Sequence, residues 1–186
     1  ANIELSSVAI YGCMDATASN YNAEATLDDG SCVAWGSVCT AGRATTPGNY
    51  TANVDGTEWK EWFTYSATEN ALVTITSCVE GQTQDTSVGV FTDCDDYTTY
   101  LDDGLASSTD AGEDVCPANS TAAEVSFEVV PGQDYHILWA QLYSWSDGYY
   151  PLQPFDFEVP VAAAIHGCTD PLAANYNAAA TIENDS

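Results

Sequence analysis

One stretch of this chain occurs twice. Ile10 to Ser31, IYGCMDATASNYNAEATLDDGS, aligns without a gap on Ile165 to Ser186, IHGCTDPLAANYNAAATIENDS, at a constant offset of 155 residues. Twelve of the 22 positions are identical, where about one would match by chance. Such a repeat limits the fold strongly. The residues between the copies must close on themselves as a unit, and each copy must form a short module beside that unit.

The residues ahead of the copies also correspond. With a one-residue gap, Ile3, Glu4 and Leu5 stand where Phe157, Glu158 and Val159 stand. Residues 1–11 are therefore expected to be an end strand and linker of a preceding unit. The chain then reads as a window of about 1.2 periods of a tandem array. Residues 12–38 and 161–186 are the two modules, the second truncated, and 39–160 is the body. The seven cysteines agree with this division. Cys13 and Cys32 make one expected pair, Cys39, Cys78, Cys94 and Cys116 an even set, and Cys168 is left over with its partner expected after Ser186. The alternative is a chain with two terminal copies and one reactive thiol.

Charge removes whole classes of function. Against 28 acidic residues stand only Arg43 and Lys60, a formal charge of −26. Such a polyanion does not neutralise phosphates, which excludes nucleic acid and basic-patch docking on anionic lipid. The longest apolar run, Val159 to Ile165, is broken by Pro160 and is far short of the roughly 18 residues of a membrane span. Disorder is excluded too, because 45% of residues are hydrophobic and five are Trp, enough to build a core. Seven cysteines in a chain with almost no lysine predict an exported protein, extracellular or on a cell surface, with oxidised thiols.

A module of about 25 residues cannot bury enough surface to fold alone and needs a staple. A Cys13–Cys32 bridge would contribute roughly 3 kcal/mol in the chain-entropy model. Asp15, Asn20, Asn22, Asp28 and Asp29 offer clustered oxygen donors of the kind Ca²⁺ prefers. In the second copy Asp170, Asn175 and Asn177 are kept, while Glu183-Asn184-Asp185 replaces Asp28-Asp29-Gly30. The same residues also fit plain turn chemistry, with Asp15 as a cap and the Asn and Asp side chains closing turns. Tyr21 and Tyr176 are expected to form the module core. The segment from Gly12 to Cys32 resembles a motif of secreted and surface proteins of Bacteroidetes-type bacteria, GCTDPxAxNYNxxAxxDDGSC. That resemblance implies export and multi-domain or repetitive chains, and no catalysis.

Between Cys39 and Val159 the pattern is β throughout. Strands are expected near Asn49 to Val54, Lys60 to Ser66, Ala71 to Cys78, Ser87 to Thr92, Thr98 to Leu101, Ala123 to Val130, Asp134 to Leu142 and Pro154 to Val159, with turn signals between them. Val73 and Ile75 share a face, as do Val125, Phe127 and Val129, and Tyr135, Ile137 and Trp139. The expected fold is all-β: an antiparallel, jelly-roll-like β-sandwich with small disulfide- and calcium-stapled linker modules. In order and spacing, Trp62 to Cys78, Asp85 to Cys94, Leu101 to Gly104 and Val125 to Trp139 resemble the bacterial pre-peptidase C-terminal family. This resemblance implies a non-catalytic accessory or binding β-sandwich, with calcium and with fibrous-protein or glycan binding in some members.

Among the acidic clusters of the body, Asp102 and Asp103 are the second calcium candidates; the others are Asp93, Asp95 and Asp96, and Asp110, Glu113 and Asp114. A solvated acidic rim is the simpler alternative. Cys94 and Cys116 flank this region and are candidates to staple it, although four cysteines allow three pairings. The aromatic segment with Tyr143, Trp145, Tyr149, Tyr150 and Phe155 is the candidate binding surface or interface, at least half of it expected in the core. His136 is expected to be a satisfied strand residue. No GxSxG, HExxH, CxxC or Gly-rich phosphate loop occurs, so no enzyme activity is expected. The sequence thus predicts a structural repeat unit of a secreted or cell-surface bacterial filament or adhesin. Its expected cofactor is Ca²⁺ and its expected partners are other copies of itself. The alternative is an accessory domain of a secreted hydrolase that binds a glycan or fibrous protein.

Overall fold

A computed structural model describes residues 9–54, 60–96, 104–141, 154–160, 165–178, 180 and 182–183. Along these the strands are β1 (Tyr11–Gly12), β2 (Leu27–Asp28), β3 (Arg43–Thr45), β4 (Gly48–Ala52), β5 (Lys60–Ser66), β6 (Ala71–Thr76), β7 (Thr86–Phe91), β8 (Ala106–Ser108), β9 (Glu124–Val129), β10 (Asp134–Gln141), β11 (Phe155–Val159), β12 (His166–Gly167) and β13 (Ile182–Glu183). The only helical elements among the described residues are two 3₁₀ turns, Cys39–Ala41 and Cys94–Asp96.

Two sheets make the body. One has the order β3-β5-β10-β7-β8 and the other β4-β11-β6-β9. From β3 to β7, and again from β8 to β11, each strand lies in the opposite sheet from the one before. This crossing pattern gives the sandwich its jelly-roll-like character. Seven of the eight expected strands are present with ends shifted by up to two residues; the eighth, at Thr98 to Leu101, lies outside the described residues. β3 and β8 were not expected, because three-residue edge strands such as Arg-Ala-Thr and Ala-Ser-Ser carry no readable alternation. β3 also corrects the expectation of a wholly antiparallel sandwich, since it runs parallel to β5 with Arg43 beside Phe63. The chain leaves β3, crosses to β4 in the other sheet and returns along β5, so the first and third of these strands point the same way.

Alternation decides what is buried. Val73 and Ile75 of β6, Val125, Phe127 and Val129 of β9, and Tyr135, Ile137 and Trp139 of β10 all point into one core, joined by Phe63, Val88, Val90, Phe155 and Phe157. Phe157 anchors its centre, edge-on to Phe63 at 4.8 Å and tilted against Trp139 at 5.0 Å. Each such side chain contributes roughly 1.5–3 kcal/mol of burial. Phe155, offered by the sequence as an interface residue, is a core residue 5.6 Å from Trp139.

A second, smaller core lies on the outer face of the five-stranded sheet, where Trp62, Phe91 and Leu138 pack under Cys39 and Cys94. Those cysteines are bonded to each other, as are Cys78 and Cys116 and, in the first module, Cys13 and Cys32. The suggested Cys94–Cys116 staple is not formed. The two 3₁₀ turns carry Cys39 and Cys94 over the same cluster, while β6 pairs with β9 and brings Cys78 toward the loop of Cys116. Loops of 55 and 38 residues correspond to about 4 kcal/mol each in the chain-entropy model.

Candidate functional site

The first module is built from backbone bridges and polar side chains rather than a core. β1 pairs with β2 in parallel, Tyr11 with Leu27 and Gly12 with Asp28, and Cys13 bridges Tyr21. Asn20 spans the disulfide: its Nδ2 donates to the Ser31 carbonyl at 2.6 Å and its Oδ1 accepts the Val33 N–H at 2.8 Å. The Asn22 N–H donates to the Cys13 carbonyl at 2.9 Å, and its Oδ1 accepts the Glu24 N–H at 3.0 Å. Gly12 is needed because a Cβ there would lie 2.9 Å from Asn22 Nδ2. Tyr21 and Tyr176, expected in the core, are 47% and 45% exposed. Of its hydrophobic residues, the first module encloses only Cys13 and Ala18.

The second module repeats the backbone part of this pattern at the same offset. His166 pairs with Ile182 and Gly167 with Glu183, and Cys168 bridges Tyr176. The Asn177 N–H donates to the Cys168 carbonyl at 2.9 Å, and Asn177 Nδ2 stands 2.9 Å from the position of a Gly167 Cβ. Asp170 Oδ1 accepts the Leu172 N–H at 2.9 Å, as Asp15 Oδ1 accepts the Thr17 N–H at 2.9 Å. Cys168 occupies the place of Cys13 and is a buried free thiol.

The oxygen donors named for calcium in the first module all have local duties. Asp15 also accepts the Thr17 hydroxyl at 2.7 Å, Asp28 the Gly30 N–H at 3.1 Å and Asp29 the Ser31 N–H at 3.0 Å. The Thr17 bonds hold the Asp15 carboxyl below its usual range, and the Ser31 bonds do the same for Asp29. Each aspartate uses Oδ1 in its turn, and Asp15, Asp28 and Asp29 are all exposed; the three carboxylates do not converge as one three-ligand group. Asn20 fits a hard cation poorly, because both ends of its amide serve the backbone. Asp102 and Asp103 lie outside the described residues, as do Tyr143, Trp145, Tyr149 and Tyr150. Among the described residues, the one group of three His, Cys, Asp or Glu close enough to share a metal is Cys39, Cys94 and His136. Its sulfurs are joined to each other. His136 sits against that disulfide with Nδ1 buried and unpartnered, not satisfied as expected.

Two further features of the body bear on function. The outer face of the four-stranded sheet carries a groove of about 720 Å³ lined by Asn49, Thr51, Asn53, Glu80, Asp156 and Glu158 among others. Beside β7, Asp85 has a buried, unpartnered Oδ1. Burial, and then the neighbouring Asp110 carboxylate, push its pKa up to about 6. Among the described residues no helix is long and apolar enough to cross a membrane.

No protein-family model matches this chain, and no curated protein matches it. One solved structure similar to part of it is the pre-peptidase C-terminal domain of a collagenase from Bacillus anthracis. The two share 10% sequence identity at a TM-score of 0.42, over 63% of this chain and 93% of that one.

Proposed function

We propose that this chain is a non-catalytic structural repeat unit of a secreted or cell-surface bacterial filament or adhesin, with other copies of itself as partners and with modules stiffened by calcium. The supporting observation is the likeness of the two modules, which make the same backbone bridges, the same Asn22 and Asn177 backbone bond and the same Asp15 and Asp170 side-chain bond at an offset of 155 residues, one before and one after the sandwich in the chain. A unit that recurs with the same internal bonds supplies the same spacer at each junction. Three disulfides suit an oxidising compartment. At formal charge −26, neighbouring units repel each other in low salt, and divalent cations at Asp15, Asp28 and Asp29 offset part of that repulsion.

Antibody against the sandwich, used for immunogold imaging of native material, tests this. Label recurring at a regular interval along surface-attached filaments is the expected result. Label confined to monodisperse soluble protein would overturn it. The polar groove on the four-stranded sheet supports a second reading, an accessory domain of a secreted hydrolase that holds a glycan or fibrous protein. Single particles together with saturable binding on a glycan or collagen panel would select that reading.

A further inference from the structure

Arg43 and Lys60 are the only basic residues in the chain, and both line one pocket of about 300 Å³ together with Trp35, Asn53 and Glu61. Among the described residues of these walls, two cations stand against one carboxylate, on a chain of charge −26. Trp35 is 52% exposed on a segment held at both ends of its next residue. The Gly36 N–H donates to the Ala41 carbonyl at 2.6 Å, and the Gly36 carbonyl accepts the Trp62 N–H at 2.8 Å. Gly36 has φ +81°, and a Cβ there would lie 2.7 Å from the Glu61 side chain. The backbone beside the indole is thus held in place. Arg43 is fixed as well: Nη1 donates to Glu61 at 2.8 Å and to the Thr51 carbonyl at 3.2 Å, and its guanidinium lies 5.1 Å from the Phe63 ring centre. Both bonds leave from Nη1, so the guanidinium keeps further N–H donors for a ligand. Lys60 has a partner of its own within the chain and adds its charge to the wall.

We infer that this pocket binds a uronic-acid residue of an anionic glycan. An open indole face accepts the C–H face of a pyranose ring. The guanidinium, backed by the Lys60 charge, accepts its carboxylate. The exposed Asn53 side chain is within the same walls for a hydroxyl. Size decides between a sugar and an acidic peptide. About 300 Å³ is at the low end of small-molecule sites, room for a single ring rather than a run of peptide side chains. The inference draws on Trp35 at the end of the first module and on no self-association, so its failure leaves the repeat-unit reading untouched.

The test is calorimetry and tryptophan fluorescence of the full chain with tetragalacturonate. EDTA removes cation bridging, and about 0.15 M NaCl confines the net charge to a screening length near 8 Å. Saturable binding is expected, at least about tenfold weaker in Trp35→Ala, a loss of about 1.4 kcal/mol. Lys60→Gln is expected to weaken it severalfold, and neutral galactotetraose to bind at least about tenfold less tightly than the uronate. Absence of binding, binding untouched by both substitutions, or equal affinity for the neutral sugar would overturn the assignment. So would tighter binding of an acidic peptide, which would give the pocket to a protein partner.

Discussion

Arg43 and Glu61 form an ion pair at 2.8 Å that joins the two sheets at their edge. Arg43 leaves β3 and also reaches the Thr51 carbonyl of β4, while Glu61 leaves β5 and accepts the Asn53 N–H at 2.6 Å through Oε2. β3 and β5 belong to one sheet and β4 to the other. The pair therefore satisfies backbone groups at the end of β4 and fixes where the parallel β3 sits.

Glu61 is buried at 7% exposure, so removing its partner strands a carboxylate. Arg43→Met should destabilise the sandwich by about 2–3 kcal/mol, the lower part of the range for breaking a buried pair because Arg43 is partly exposed. The double variant Arg43→Met with Glu61→Leu should recover most of that loss, since it buries no orphan charge. Urea melts of the single and double variants read this directly. A double variant as unstable as the sum of its parts would show that the two residues are not coupled.

Some of this was legible in the sequence, and the physical reason is range. The alternation of Val125, Phe127 and Val129 is local and gave the strand and its buried face together. The repeat foreshadowed like bridges at Tyr11–Leu27 and His166–Ile182, because like neighbours make like local bonds. β3 was hidden: Arg43-Ala44-Thr45 has no periodic signal, and its pairing with β5 depends on two crossings between sheets. The disulfide partners of Cys39 and Cys78 were hidden for the same reason. So was the pocket of Trp35, although the presence of only two cations in so acidic a chain was a signal that their placement mattered. The backbone bridge made by Asn20 was hidden in kind, because an amide that bridges two backbone segments has the same sequence signature as a cation ligand.

Gly12 and Gly167 test whether the modules are equivalent. An added methyl at Gly12 meets Asn22 Nδ2 at 2.9 Å and its Cβ at 3.1 Å; at Gly167 it meets Asn177 at 2.9 and 3.0 Å. Either alanine must push the asparagine outward, at a local cost of about 1–2 kcal/mol. Amide exchange should accelerate at Asn22, Thr26 and Leu27 in Gly12→Ala and at Asn177 in Gly167→Ala, with the core strands unaffected. Unchanged exchange in either variant would show that the asparagine does not hold its module closed.

Asp85 makes stability depend on pH in an identifiable direction. Its folded pKa, pushed up to about 6 from an ordinary 3.8 by burial and then by Asp110, means that the folded state holds the proton more tightly than the unfolded chain. The resulting stabilisation is fully present below about pH 4 and is lost as pH rises through about 6. Because the carboxyl is only partly buried, solvent screening reduces the effect to about 1 kcal/mol. In Asp85→Asn this contribution disappears, so the difference in unfolding free energy between the two proteins should change by about that amount between pH 4 and pH 7. A constant difference across the range would refute it.

Calcium can be separated from turn chemistry at Asp28 and Asp29, because asparagine keeps one function and loses the other. Each carboxylate closes its turn through Oδ1, to the Gly30 and Ser31 N–H groups, and an amide oxygen accepts the same bond. The substitution removes only the charge and the second carboxylate oxygen that a hard cation would use. Millimolar Ca²⁺ should therefore raise the melting temperature of the native chain and EDTA should reverse it, while Asp28→Asn with Asp29→Asn should fold normally and no longer respond. If the native chain melts identically in Ca²⁺ and in EDTA, these aspartates serve the turn alone, and the modules are held by the Cys13–Cys32 bond and the Asn20 bridge.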